Sequence, residues 1–213
     1  MAFVGKKFPS LNVDAMNDMG DTFKLNVLDE AINNKKKVVL FWYPKDFTFV
    51  CPTELHAFQV ALGEFEKRNT IVIGASCDTP EVHFAWLNTE KDNGGIEGVT
   101  YPLLADSNRN LASTLGILDI TSETYNEETG VVTVEGDNVT YRATYIIDED
   151  GVVQHESINN MPLGRNVQEY LRLVDALTHV QEKGEVCPAN WEEGKEAMNA
   201  DRAGVAEYLA AHV

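Results

Sequence analysis

The chain has 213 residues, 44% hydrophobic and 24% charged, with a formal net charge of −17. That is enough for one well-packed domain with an appendage and too little for two large ones. The acidity argues against a nucleic-acid or anionic-membrane partner, which would need clustered lysines and arginines to neutralise phosphates.

No stretch approaches the roughly 18 apolar residues of a membrane span. The opening Met1–Pro9 lacks a charged leader followed by an apolar run, so a cytoplasmic protein is expected. The three cysteines, Cys51, Cys77 and Cys187, are too few and too scattered for a secreted disulfide framework, which directs attention to metal or redox use. Metal is the weaker of the two, because no Cys-x-x-Cys occurs and no histidine forms a close ligand pair with a cysteine. Neither a metal nor an organic cofactor is expected.

In chain order, residues 1–36 read as an edge region of short strands and turns, with Phe23-Lys24-Leu25 alternating like a strand. Val38-Val39-Leu40-Phe41-Trp42 is an unbroken apolar run that predicts a buried strand. Beyond a short loop, Leu55, Phe58, Leu62 and Phe65 recur at helical spacing, and Thr70–Ser76 predicts a second buried strand. The helix between them has the length that a parallel crossover needs. Cys77-Asp78-Thr79-Pro80 leads into a helix with Val82, Ala85 and Trp86 expected inward, and Cys77 reads as structural. Gly94–Gly98 is expected to be a flexible loop and Tyr101–Asp106 a further strand.

Residues 119–141 are polar and rich in turns, which suggests an inserted hairpin around Val131–Val134. Tyr141–Ile147 predicts a strand with an antiparallel partner at Val152–Gln154. Arg142 is the sole cation on that strand, and by itself it reads as an arginine whose head reaches solvent. An amphipathic helix follows Arg165, and from Lys183-Gly184 the chain becomes an arm carrying Cys187, with a modest closing helix around Val205, Tyr208 and Leu209. The expected architecture is α/β, a thioredoxin-like fold with a mixed central sheet. Residues 1–183 form the domain and 184–213 the C-terminal arm.

The loop between the first buried strand and its helix runs Pro44-Lys45-Asp46-Phe47-Thr48-Phe49-Val50-Cys51-Pro52-Thr53-Glu54. A helix start leaves backbone N–H groups unpaired and carries partial positive charge, which favours a thiolate. Cys51 is expected at the cap, with Pro52 as the first helical residue and Glu54 able to reach back. Thr48 is close enough for its hydroxyl to bond the sulfur or a bound oxygen. Taken alone, a cysteine here is better explained as a buried small hydrophobe.

The spacing Pro-x-x-x-Thr-x-x-Cys at Pro44, Thr48 and Cys51, within Phe-Thr-Phe-Val-Cys-Pro-Thr-Glu, resembles the active-site motif of the two-cysteine peroxiredoxins. The likeness extends through Trp42-Tyr43-Pro44, Ala85-Trp86, Pro102–Asp106, Arg142-Ala143-Thr144 and Arg165 to Gly184-Glu185-Val186-Cys187-Pro188. It implies a thiol peroxidase acting on hydrogen peroxide and alkyl hydroperoxides. Cys51 would be the peroxidatic thiol and Cys187 of a partner subunit the resolving one. Thr48 and Arg142 would hold the peroxide oxygens, Pro44 would shield the sulfur, and Glu54 with Arg165 would form the supporting charges.

It further implies a homodimer with an interchain Cys51–Cys187 disulfide, five such dimers in a decamer, and a thioredoxin-like or dedicated flavoprotein reductant. Gly94-Gly95-Ile96-Glu97 and Tyr208-Leu209 each match half of the pattern of overoxidation-prone members, so intermediate resistance to overoxidation is expected. Other readings are a chaperone-like ring whose cysteines only sense, and a thioredoxin-like disulfide reductase, which would need a Cys-x-x-Cys.

Overall fold

A computed structural model describes residues 2–212. Met1 and Val213, the outermost residues of the two expected domains, lie outside the described residues. The chain forms two compact units, Met1–Arg165 and Asn166–Val213.

The first unit runs β1 (Val13–Met16), β2 (Thr22–Leu25), α1 (Val27–Asn34), β3 (Lys37–Trp42), α2 (Cys51–Lys67), β4 (Thr70–Ser76), α3 (Pro80–Leu87), a 3-10 turn (Lys91–Asn93), β5 (Leu103–Ala105) and α4 (Asn110–Leu115). The hairpin β6 (Ser122–Asn126) and β7 (Val131–Glu135), then β8 (Arg142–Ile147) and β9 (Val153–Asn159), complete it. Seven strands form a mixed sheet in the order β2-β1-β5-β4-β3-β8-β9. β3 lies inside it, parallel to β4 and antiparallel to β8. All six β3 residues are buried, so beyond Lys37, which pairs with Glu149, the strand is apolar without alternation.

Val38, Leu40 and Trp42 enter one core with Phe8, Ile73, Leu104 and Tyr145. On the other face, Phe41 stacks on Phe58 of α2 at 4.0 Å between ring centroids. A parallel pair cannot be closed by a tight turn, and the 17-residue α2 supplies the β3-to-β4 crossover. The α/β reading with a mixed central sheet therefore holds.

Several local expectations change. Residues 27–34 are helical, with the Asn26 side chain accepting from the Leu28 amide and Val27 and Ala31 buried. An Asx cap followed by Asp29 and Glu30 was the available signal. On α3 the inward residues are His83, Trp86 and Leu87, while Ala85 faces out. A buried pairing partner for His83 displaced the purely apolar face. β9 reaches Asn159, well past Gln154, because it pairs with β8 as far as Arg142. The insertion is a hairpin as expected, on its own two-stranded sheet, with Tyr125 paired to Val132 and almost every strand residue exposed.

The second unit contains α5 (Val167–Lys183), capped by Asn166, and α6 (Arg202–His212), none of whose described residues is buried. Between them Val186 bridges to Met198. Among the described residues no helix is long and apolar enough to cross a membrane.

Candidate active site

The loop leaving β3 is anchored at its first residue. The Tyr43 amide donates to the Ala75 carbonyl at 2.9 Å, and the Tyr43 carbonyl accepts from Thr140 Oγ1 at 2.9 Å. Pro44 is buried directly after it. Asp46 is buried as well: its amide donates to Asp78 Oδ2 at 2.9 Å, and its Oδ2 lies 2.7 Å from His83 Nδ1. His83 Nε2 faces the Leu104 carbonyl at 3.1 Å, and a carbonyl only accepts, so that nitrogen carries a proton.

A second proton must sit between Nδ1 and Asp46. Burial opposes a charge on His83, and the hydrogen bond and charge of Asp46 outweigh it, so the imidazole holds its proton more tightly than usual. Burial likewise pushes the Asp46 carboxyl up. The sequence reading missed this pair. The signal was a histidine set between α3 positions taken as the inward face.

Phe47 adopts a left-handed conformation, φ 55°, uncommon for a bulky residue, and its ring lies 5.8 Å from that of Trp86. This turn brings Thr48 back toward α2. Thr48 Oγ1 is 2.9 Å from Cys51 Sγ and 2.8 Å from the Lys45 carbonyl. One hydroxyl has one proton. With a neutral thiol, the hydroxyl gives its proton to the carbonyl and accepts from the sulfur. With a thiolate it can donate to the sulfur.

Cys51 is the first residue of α2 and fully enclosed. The expected cap is shifted by one: Val50 is the N-cap, without a side-chain capping bond, and Pro52 follows Cys51 inside the helix. Glu54 does not reach back. Its Oε2 accepts from Arg142 Nη1 at 2.8 Å, and its Oε1 accepts from Arg165 Nε at 3.0 Å and from the Arg165 amide at 2.9 Å. Two guanidinium groups bind a carboxylate more strongly than one neutral amide does.

Arg142, which its strand alone would send to solvent and which the resemblance put beside Cys51, is only 4% exposed. Nη1 also faces Cys51 Sγ at 3.4 Å, and Nε donates to the Met161 carbonyl at 2.6 Å. Arg165 donates to the Trp42 carbonyl and to Thr144 Oγ1, and its guanidinium lies 5.3 Å from the Phe41 ring centroid. Two guanidinium groups and one carboxylate leave an excess positive charge, which a thiolate at Cys51 would neutralise.

The structure thus brings Thr48, Cys51, Glu54, Arg142 and Arg165 together, with Pro44 buried at the head of the same loop. Cys187 belongs to the other unit, where its sulfur is 3.7 Å from the Ala176 carbonyl and burial pushes its thiol up, against the pull of Arg172. Cys77 is pushed up to about 12, first by burial and then by Asp106. All three cysteines are free. Among the described residues, no group of three or more His, Cys, Asp or Glu is placed to hold a metal ion.

The Gly94-Gly95 segment, expected to be flexible, is tied down. Trp86 Nε1 donates to the Gly94 carbonyl at 2.9 Å, and His56 Nε2 of α2 bonds the Gly95 carbonyl at 3.1 Å.

Residues 4–156 match the AhpC/TSA family, and residues 176–211 match the C-terminal domain of 1-Cys peroxiredoxin. A chloroplastic 2-Cys peroxiredoxin of Hordeum vulgare is 39% identical over 99% of this chain and 92% of its own length. An alkyl hydroperoxide reductase C of Helicobacter pylori is 44% identical over 82% of this chain and 80% of its own. The reduced 2-Cys peroxiredoxin of Plasmodium vivax superposes with a TM-score of 0.87 at 37% identity, covering 99% of this chain and 100% of that one.

Proposed function

This chain belongs to the AhpC/TSA family and is a thiol peroxidase, an oxidoreductase acting on peroxide; from that premise we propose that Cys51 is the attacking sulfur and Cys187 of a second copy the resolving one. The observation that carries the assignment is the pair of donors on one enclosed sulfur, Thr48 Oγ1 at 2.9 Å and Arg142 Nη1 at 3.4 Å.

The Cys51 thiolate attacks one oxygen of hydrogen peroxide or an alkyl hydroperoxide. The sulfur–oxygen bond forms as the oxygen–oxygen bond breaks, and the departing oxide takes a proton to leave as water or alcohol. Sulfur is oxidised by two electrons and the peroxide reduced by two. Negative charge grows on the departing oxygen, and Arg142, already oriented by Glu54 and the Met161 carbonyl, is placed to meet it without reorganising. Thr48 orients the other oxygen. Pro44 shields the sulfur, and Arg165 braces Glu54.

The sulfenic acid then condenses with the Cys187 thiolate, forming a disulfide and releasing hydroxide, which takes a proton to become water. A disulfide requires Cα atoms within about 7 Å, so the enclosed Cys51 must emerge to meet its partner. The names of relatives as 2-Cys peroxiredoxins support a second thiol in the cycle. Residues 184–213 are the arm that brings it. The same reading includes a homodimer, five dimers in a decamer, and a thioredoxin-like or dedicated flavoprotein dithiol donor that reduces the disulfide. We keep the cytoplasm as the compartment. The barley relative is named as chloroplastic, so fractionation of the native cell decides this point.

The deciding experiment follows hydrogen peroxide consumption with a dithiol donor and the oxidised protein on a non-reducing gel. Consumption is expected to disappear in Cys51→Ser, and the disulfide-linked dimer to become a monomer in Cys187→Ser. Peroxide consumption surviving in Cys51→Ser, or a dimer persisting in Cys187→Ser, would overturn the assignment.

A further inference from the structure

Cys187 has its own neighbours in the second unit, and nothing said of Cys51 makes use of them. Arg172, Ala176 and His179 follow one another at four and then three residues along α5, so they share one face of that helix. The segment carrying Cys187 is fastened to this face on both sides of the sulfur. Before it, Glu185 Oε2 lies 2.8 Å from His179 Nε2. After it, Arg172 Nη1 donates to the Trp191 carbonyl at 3.0 Å. Trp191 is buried, its ring lies 5.0 Å from that of His179, and its Nε1 donates to the Lys195 carbonyl at 3.0 Å. Between the two fastenings the Cys187 sulfur meets the Ala176 carbonyl at 3.7 Å.

The Arg172 guanidinium is itself aimed. Glu169 accepts from Nε and from Nη2, both at 2.7 Å, which leaves Nη1 for Trp191. Glu192 adds a further negative charge that favours the cation. At the sulfur the influences are opposed. A carbonyl only accepts, so the seat at Ala176 suits the protonated thiol. Burial also favours that form, Arg172 pulls toward the thiolate, and Glu185 works against Arg172. His179 engages that opposing carboxylate. The Arg172 side chain is partly exposed, so water weakens its pull without cancelling it.

We propose that Arg172 is a positioning residue for the resolving step: braced by Glu169, it holds the Trp191 end of the Cys187 segment on α5 and sets a positive charge near the thiol that must ionise. The inference rests on the assignment of Cys187 above. In that step the thiol gives its proton to water and the thiolate attacks the Cys51 sulfenic sulfur. The sulfur–sulfur bond forms as the sulfur–oxygen bond breaks, and the electron pair leaves with hydroxide, which takes up a proton. The Cys187 sulfur is oxidised by one electron and the Cys51 sulfur reduced by one, so no outside oxidant enters.

The test compares Arg172→Gln, which removes the charge and keeps an N–H donor for the Trp191 carbonyl, with Arg172→Lys, which keeps the charge. Iodoacetamide labelling of Cys187 in the reduced protein, mapped by mass spectrometry, is timed at about pH 7 and about pH 10. The ratio of the two rates is the readout, because a change in exposure alone moves both rates together. The neutral-to-alkaline ratio should fall about three- to tenfold in Arg172→Gln, stay near wild type in Arg172→Lys, and rise in Glu185→Gln. Disulfide formation after a peroxide pulse at neutral pH should slow by a similar factor in Arg172→Gln, while the initial reaction with peroxide should not change. An unchanged ratio in Arg172→Gln, an equal fall in Arg172→Lys, or undiminished disulfide formation in Arg172→Gln would overturn the proposal. Labelling needs no peroxide chemistry, so it decides the part played by Arg172, whereas a wild-type protein with no Cys51–Cys187 dimer would overturn the functional assignment instead.

Discussion

Glu54 and Arg142 meet at 2.8 Å with side chains 3% and 4% exposed, and the same carboxylate also bonds the fully enclosed Arg165 side chain. Neither guanidinium is free to turn to water. The cation facing the Cys51 sulfur is therefore held in place by a residue only three positions further along the sulfur's own helix.

Removing that carboxylate should cost both structure and rate. Glu54→Ala leaves two buried guanidinium groups short of a partner, and breaking buried pairs of this kind costs about 3–5 kcal/mol. Urea denaturation is expected to show that loss. Arg142→Met should instead depress the second-order rate with peroxide by about a hundredfold or more, the scale of one lost transition-state donor. Stopped-flow tryptophan fluorescence would measure it, and a rate within threefold of wild type, roughly 0.7 kcal/mol, would remove Arg142 from the reaction.

Thr48 separates a donor from a packing methyl. Thr48→Ser keeps the hydroxyl near the sulfur and should retain the rate within a few-fold, whereas the isosteric Thr48→Val should lose about a hundredfold. Equal rates in the two variants would mean that the 2.9 Å contact has no part in catalysis.

The buried His83–Asp46 pair predicts a pH dependence of stability with a definite sign. His83 holds its proton more tightly in the fold than in the unfolded chain, and Asp46 is shifted upward too. The folded protein therefore binds more protons where these groups titrate, and stability falls as pH rises. The histidine's share is whole below its unfolded value of about 6.5 and is lost as pH climbs through its higher native value. Urea midpoints at about pH 6 and about pH 9 should differ in that direction, and His83→Gln should reduce the difference. A rise in wild-type stability with pH would contradict the assignment.

Thiol labelling should rank the cysteines outside the site. Cys77, pushed up to about 12, should stay unmodified at neutral pH in the folded protein. Cys187, raised but only half-buried, should react before it. Mass-spectrometric mapping after short exposure to an alkylating reagent reads the order directly, and Cys77 labelled first would show that its surroundings open readily.

The parts legible in the sequence were those written locally. The apolar run of β3, the helical spacing after Cys51 and the valine-rich hairpin each carry their own period, so short-range pattern was enough. What pattern could not supply was the destination of charged side chains. By its strand alone Arg142 read as solvent-facing, and only the motif resemblance put it at the site, because nothing near it in sequence announces Glu54, which lies 88 residues away. Asp46 and His83, 37 residues apart, were likewise missed as a pair. The misplaced cap has the same origin: Glu54 suits a local capping bond, but two distant cations claimed it.

That separation along the chain also has a consequence in time. Arg142 follows Cys51 by 91 residues, and Arg165 follows Glu54 by 111. At a synthesis rate of about 5–20 residues per second, roughly 5–20 seconds pass between translation of Glu54 and of the last arginine that braces it. Throughout that interval the nascent polypeptide carries its reactive thiol without the completed cationic cradle. The newborn chain thus lacks its complete cradle until Arg165 has been made, with 48 residues still to follow.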